Sequence, residues 1–137
     1  MITVEELRHV LDPQTLLDLT DDTDAGTEDA GIISSATDLA DIEIRNRLSL
    51  DVPGDTELPD TYRDIWITLT VERLFERRRD SVPTLWQQRA ARARELLAIM
   101  NDNEQTVAET ASSTSNRPCS TREPEDRAHQ PDSLKRY

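Results

Sequence analysis

At 137 residues the chain has room for one domain, or one domain with an appendage. Hydrophobic residues make up 35% and charged residues 32%, which is lean but sufficient for a compact core, and a net charge of −12 opposes non-specific attachment to nucleic acid. No apolar run approaches the roughly 20 residues of a membrane span. The start carries no basic-then-apolar leader, so the expectation is a chain made in the cytosol with no membrane partner.

Thr3-Val4-Glu5-Glu6 is a capping box, with a Thr N-cap and a Glu three residues on. A short helix should follow with Val4, Leu7, Val10 and Leu11 inward. It should end before Pro13, because the residue preceding proline avoids the α region. Gln14 to Leu19 reads as one or two turns anchored by Leu16, Leu17 and Leu19.

Residues 20–29, TDDTDAGTED, place five carboxylates in a Gly-containing loop. An EF-hand template aligned on Gly26 puts Asp21, Thr23 and Ala25 at ligand positions and Ile32 at the closing glutamate. Three of those positions fail. The loop therefore reads as solvated, with acids that favour the N-terminus of the next helix.

That helix should run from about Thr27 to Ser49. Ile33, Ala36, Ala40, Ile44 and Leu48 recur at three- and four-residue steps, and Asp41, Glu43, Arg45 and Arg47 lie off that line. Asp51-Val52-Pro53-Gly54-Asp55 is a turn cluster.

Thr61 to Arg79, TYRDIWITLTVERLFERRR, is apolar most of the way round in its first half. An ordinary surface helix has one apolar stripe, so this is the expected central helix of a small bundle. Asp60 or Thr61 is its expected N-cap. After Pro83, Thr84-Leu85-Trp86-Gln87 forms a second capping-box pattern. It opens a helix to about Asn101 with Trp86, Ala90, Ala93, Leu97 and Met100 inward. The small Ala90 and Ala93 allow close approach of a neighbour.

Beyond Asn103 the periodicity stops. Residues 104–137 are rich in Ser, Thr, Pro and charge, and such a segment cannot bury itself. It reads as an extended C-terminal arm ordered by a partner, with Val107, Arg117, Pro118, Arg122, Leu134, Lys135, Arg136 and Tyr137 as its anchors. The expected architecture is all-α. Residues 1–103 form a bundle of four to five helices, and residues 104–137 form the arm.

The chemistry-bearing motifs are missing. Three glycines make no phosphate loop, and no nucleophile elbow or HExxH occurs. One cysteine, Cys119, and two histidines, His9 and His129, cannot build a Cys/His zinc site. No catalytic, cofactor-binding or metal residue is assigned, and the chain is not expected to be an enzyme.

Charge is unevenly spread. Residues 1–60 carry 16 acidic and 3 basic groups, and residues 61–103 carry 6 acidic and 8 basic. The basic groups of the second segment include Arg73, Arg77, Arg78, Arg79, Arg89 and Arg92. Three readings stand for them: capping with local salt bridges, contact between protomers, or contact with DNA phosphates. No aromatic residues interleave for base stacking. These six are the candidates for an intersubunit contact. Lys135 is the only lysine, and abundant Asp and Glu with almost no Lys is similar to the composition of salt-in halophiles.

The order of these features resembles the head–tail connector (adaptor, or head-completion) proteins of tailed viruses. The resemblance rests on Thr3-Val4-Glu5-Glu6-Leu7, on LLDLTDD from Leu16 to Asp22, and on Ala36-Thr37-Asp38-Leu39-Ala40-Asp41-Ile42. It continues in Leu58-Pro59 before an apolar helix, in VERLFERRR from Val71 to Arg79, and in a last helix after Pro83. It covers about residues 1–101. The acid-rich 21–29 loop and the near absence of lysine depart from the family pattern. The resemblance implies a virion protein at the portal vertex, assembled in the host cytoplasm. It implies a ring, usually dodecameric, that extends the DNA channel between the portal protein and a neck or tail-completion protein. It also implies a C-terminal segment that embraces the portal. With the acidic composition, the implied source is a virus of a halophilic archaeon. The rival reading is an acidic halophilic regulatory protein that binds a partner through its tail.

Overall fold

The computed structural model describes residues 1–49, 58–78 and 81–115. Five α-helices follow in order: α1 (Val4–Val10), α2 (Pro13–Thr20), α3 (Ala30–Leu48), α4 (Arg63–Arg78) and α5 (Thr84–Ser115). A 3-10 turn, Asp60–Tyr62, leads into α4. Among the described residues every regular element is helical, and the all-α expectation holds. Helix packing belongs to the compact unit Met1–Asn103; the distal part of α5 belongs to a second unit, Glu104–Tyr137.

The capping box forms as the sequence requires. The Thr3 hydroxyl accepts from the Glu6 amide at 3.3 Å, and Glu6 Oε2 accepts from the Thr3 amide at 2.8 Å. The same carboxylate receives Arg63 of α4 at 2.7 and 2.8 Å, so the cap of α1 also pins α1 to the central helix. Pro13 does more than end α1. It sits at the first position of α2, where its missing N–H costs nothing. Asp12 caps that helix through the amides of Gln14 and Thr15.

Asp29 caps α3 by accepting from Gly31 N at 2.7 Å and Ile32 N at 3.3 Å. A Cβ at Gly31 would lie 3.1 Å from that carboxylate, so glycine gives the cap its close approach. The helix ends at Ser49, whose φ of 51° turns the chain left-handed. Ile33, Ala36, Ala40, Ile44 and Leu48 are all buried, as their spacing predicts.

The most extensive helix pairing is α3 against α4. Tyr62, Ile65, Trp66, Leu69, Val71, Leu74 and Phe75 are buried, so the expected central helix is α4, Arg63–Arg78, entered through the 3-10 turn, while Arg79 lies outside the described residues. Trp66 Nε1 donates to the Thr37 carbonyl at 3.0 Å, satisfying the indole inside the core. Trp86, Ala90, Ala93 and Leu97 bring α5 to the same core.

Four expectations are corrected. Val10 points outward, 39% exposed, at the last residue of α1. Neither Asp60 nor Thr61 caps α4. The Pro59 carbonyl instead accepts from Tyr62 N at 3.0 Å, and no side chain caps the turn. Thr84 is already helical, and the Pro83 carbonyl accepts from the amides of Trp86 and Gln87. The Gln87 side chain donates back to the Val82 carbonyl and makes no reciprocal capping box. The chain does not become extended at residue 104, because α5 continues to Ser115. Ala, Glu and Gln are good helix formers, and prolonging an existing helix avoids the cost of a nucleus. The 51–55 turn and residues 116–137 lie outside the described residues.

Leu69→Ala removes a fully buried side chain from the centre of α4. It should lower the free energy of unfolding by about 3 kcal/mol. The exposed Gln88→Ala should change it by less than about 0.5 kcal/mol. Denaturant titrations monitored by helical circular dichroism check both values.

Candidate functional site

The C-terminal end of α4 turns its arginines onto the chain's own acids. Arg77 grips Asp22 through both guanidinium nitrogens, at 2.7 and 2.8 Å, and reaches the Leu19 carbonyl at 2.8 Å. That carbonyl is one of those left free at the end of α2. Arg78 adds a bond to Asp22 at 3.1 Å. A planar guanidinium fork matches a carboxylate in this two-point manner, which lysine cannot do.

The acid-rich loop is organised by its own amides. Asp21 accepts from Ala25 N at 2.9 Å, Gly26 N at 2.6 Å and Thr23 N at 3.2 Å. Those backbone bonds, Ala25 first, hold its carboxyl below the usual range. Asp22 is lowered by the hydrogen bond from Arg77. The loop closes on itself with Gly26 at φ 76°. Glu28 pairs with Arg8 at 2.9 Å, and Asp29 caps α3. Four of the five loop carboxylates are thus aimed at donors within the chain, and among the described residues no cluster of three ligating side chains forms.

A second network joins three helices. Glu43 of α3 receives Arg94 of α5 at 2.7 Å, Arg73 of α4 at 2.8 Å and Arg47 of its own helix at 3.0 Å. Arg94 also holds Glu72 of α4. Arg73 spans from Glu43 to Glu76, again at 2.8 Å. Burial pushes the Glu43 carboxyl up, but the bonds from Arg94, Arg47 and Arg73 outweigh it and hold the pKa at about 2. Glu6 is also held at about 2, chiefly by the hydrogen bond from Arg63. Sequence periodicity misses this network. Its one visible signal is Glu72, an acid three residues after Leu69 on a face otherwise apolar.

Arg89 and Arg92 behave differently. Every other described arginine holds a carboxylate. Arg89 instead lies over the Trp86 ring, 4.8 Å from its centroid. Both arginines line an open groove between α4 and α5, with Asp64, Ile65, Thr68, Ala93 and Leu96. The groove runs on into a cleft of about 230 Å³ bounded by Val10, Ile67 and Trp86. Of the six candidate arginines, Arg73, Arg77 and Arg78 serve the fold, Arg89 and Arg92 face the groove, and Arg79 lies outside the described residues. Of the arm residues, Val107 is exposed on α5. Arg117, Pro118, Arg122, Leu134, Lys135, Arg136 and Tyr137 lie outside the described residues.

A family described as Bacteriophage Mu, Gp36 matches residues 2–123. The chain belongs to that phage family. The match takes in all five helices and extends past the 1–101 range of the sequence resemblance. No curated protein and no solved structure matches the chain. Membership makes this a phage-associated protein. Among the described residues of this Gp36-family chain, no helix is long and apolar enough to cross a membrane. Among the described residues, the arginines without a carboxylate partner, Arg89 and Arg92, line one groove.

The ionised network sets a pH dependence. Folding lowers the Glu43 and Glu6 pKa values from 4.5 to about 2. Their contribution is therefore complete above the unfolded value and is lost as pH falls through the window from 4.5 to 2. Glu43→Gln should lower stability at neutral pH by about 1.5 kcal/mol, since it takes one carboxylate from Arg94 and Arg73, which keep Glu72 and Glu76. It should also flatten the acid limb of a stability–pH curve, and Glu6 should supply the slope that remains. Denaturant unfolding at a series of pH values measures both effects.

Proposed function

We propose that the chain is a non-enzymatic structural protein of the virion, forming a ring adaptor between the portal and the neck or tail. The observation that carries this reading is the match to the phage Gp36 family over residues 2–123, across all five helices. The order of sequence features, which resembles that of head–tail connectors, supports the adaptor role within that family. In this reading a ring, a dodecamer by that resemblance, extends the DNA channel beneath the portal and presents a platform to the neck or tail-completion protein. The location is the portal vertex, and the acid-rich, lysine-poor composition points to a virus of a halophilic archaeon.

The electrostatics support passage of DNA. Uncompensated arginines in a channel would grip phosphates, each contact adding affinity and salt dependence. Here the arginines of α1, α3 and α4 are neutralised by carboxylates of the same chain. An acidic wall built this way repels the backbone and lets it slide. The residues beyond α5, Asn116 to Tyr137, are assigned to the portal.

Purified portal and this protein, mixed at high salt and imaged by negative stain, should give rings stacked on the portal. A persistent monomer that leaves the portal bare contradicts the adaptor and favours the rival, an acidic regulator acting through its tail. Removing residues 116–137 leaves α5 whole. The truncated protein should still assemble with itself but lose portal docking.

A further inference from the structure

Among the described residues, two recessed surfaces carry exposed apolar side chains. One is the groove of Arg89, Arg92 and Leu96. The other flanks a ridge on α3, where Leu39 and Ile42 are each 53% exposed. Asp38 and Asn46 lie on the same face at three- and four-residue steps. Beside the ridge is an open recess of about 540 Å³, lined by Leu39, Ile42, Glu43, Asn46, Arg47 and Arg73.

The two surfaces lie on opposite sides of α4. The groove takes Asp64 and Thr68 from that helix, and the recess takes Arg73. Arg73 is about two and a half turns beyond Asp64, which rotates it to the far side. The surfaces therefore cannot meet within one chain, but they can meet between copies translated and rotated around an axis. Glu43 offsets Arg47 and Arg73 in the recess, and the charges left unpaired beside the two surfaces are opposite. Asp38 on the ridge has no ionic partner among the described residues, and neither have Arg89 and Arg92 in the groove. Asp64 also lines the groove and leaves it net cationic.

We propose that copies of this chain assemble head to tail, with the Leu39–Ile42 ridge of α3 seated in the Arg89–Arg92–Leu96 groove of the next copy. Asp38 then faces the two arginines, and Leu96 and Ile99 of α5 approach the α3 recess. Such a contact is heterologous, so repetition closes a ring when the rotation per copy divides a full turn. At molar salt the Debye length is about 3 Å, so the apolar anchors carry affinity and the charges fix register. The proposal rests on the self-assembly part of the ring reading and not on the portal role.

The test uses two variants of the full chain at exposed positions, Ile42→Asp on the ridge and Leu96→Asp in the groove. Helical circular dichroism confirms that each is folded, and mass photometry reads assembly. Each variant alone should stay monomeric at concentrations at least about 30-fold above those at which the wild type assembles, the scale of losing a central apolar anchor. Mixed one to one, they retain one intact ridge and one intact groove between them. They should form a heterodimer and stop there. A two-fold symmetric contact would give no such complementation. In low salt, Arg89→Glu with Arg92→Glu should weaken assembly and Asp38→Arg added to it should restore it. Rings formed by both single variants overturn this interface and leave the ring reading standing. A wild type that stays monomeric both free and on the portal overturns this interface and the ring reading together.

Discussion

One carboxylate ties together the three long helices. Glu43 sits where α3, α4 and α5 converge and receives guanidinium groups from all three. Burying an unpaired carboxylate costs several kcal/mol, and a pair is favourable only when its lone pairs are filled. Arg94 meets the condition by bridging Glu43 to Glu72, so α5 is held to α3 and α4 by charge as well as by Trp86, Ala90, Ala93 and Leu97. The same logic recurs at Glu6 with Arg63 and at Asp22 with Arg77. In each case an acid of the first half meets an arginine of the second. The unequal charge of the two halves is thus a device for holding them together.

This accounts for the near absence of lysine in structural terms. Each of these contacts uses two or more guanidinium nitrogens at once, and Arg94 binds two carboxylates. An ammonium is a point charge and cannot span such geometry. The arrangement also leaves the surface acidic. Among the described residues, the arginines without a carboxylate partner are Arg89 and Arg92, beside exposed Leu96. That concentration gives the proposed ring its polarity, with one cationic groove and one apolar ridge per copy.

Much of this was legible in the sequence, for specific reasons. Ile33, Ala36, Ala40, Ile44 and Leu48 sit at the helical period, so the buried face of α3 could be read directly. Thr61 to Arg79 was recognisable as central because two of its faces are apolar. Asp22 and Arg77 were not readable as a pair, since 55 residues separate them and only the packing of α2 against α4 brings them together. The Glu43–Arg94 contact, across 51 residues, escaped for the same reason. The end of α5 was missed because a Ser- and Thr-rich segment looks unstructured alone, while attached to a formed helix it needs only to propagate. The distinction between arginines that serve the fold and those that face outward is tertiary information. Arg77 and Arg89 look alike in the sequence.

The central claim is that intrachain neutralisation leaves a chain with two complementary faces, able to close on copies of itself. Sedimentation velocity of the wild-type chain at molar salt, over a hundredfold range of concentration, addresses it most directly. The account predicts one discrete, ring-sized species in exchange with monomer and no continuing growth at high concentration. A monomer throughout, or a two-fold dimer that saturates without larger species, would contradict it.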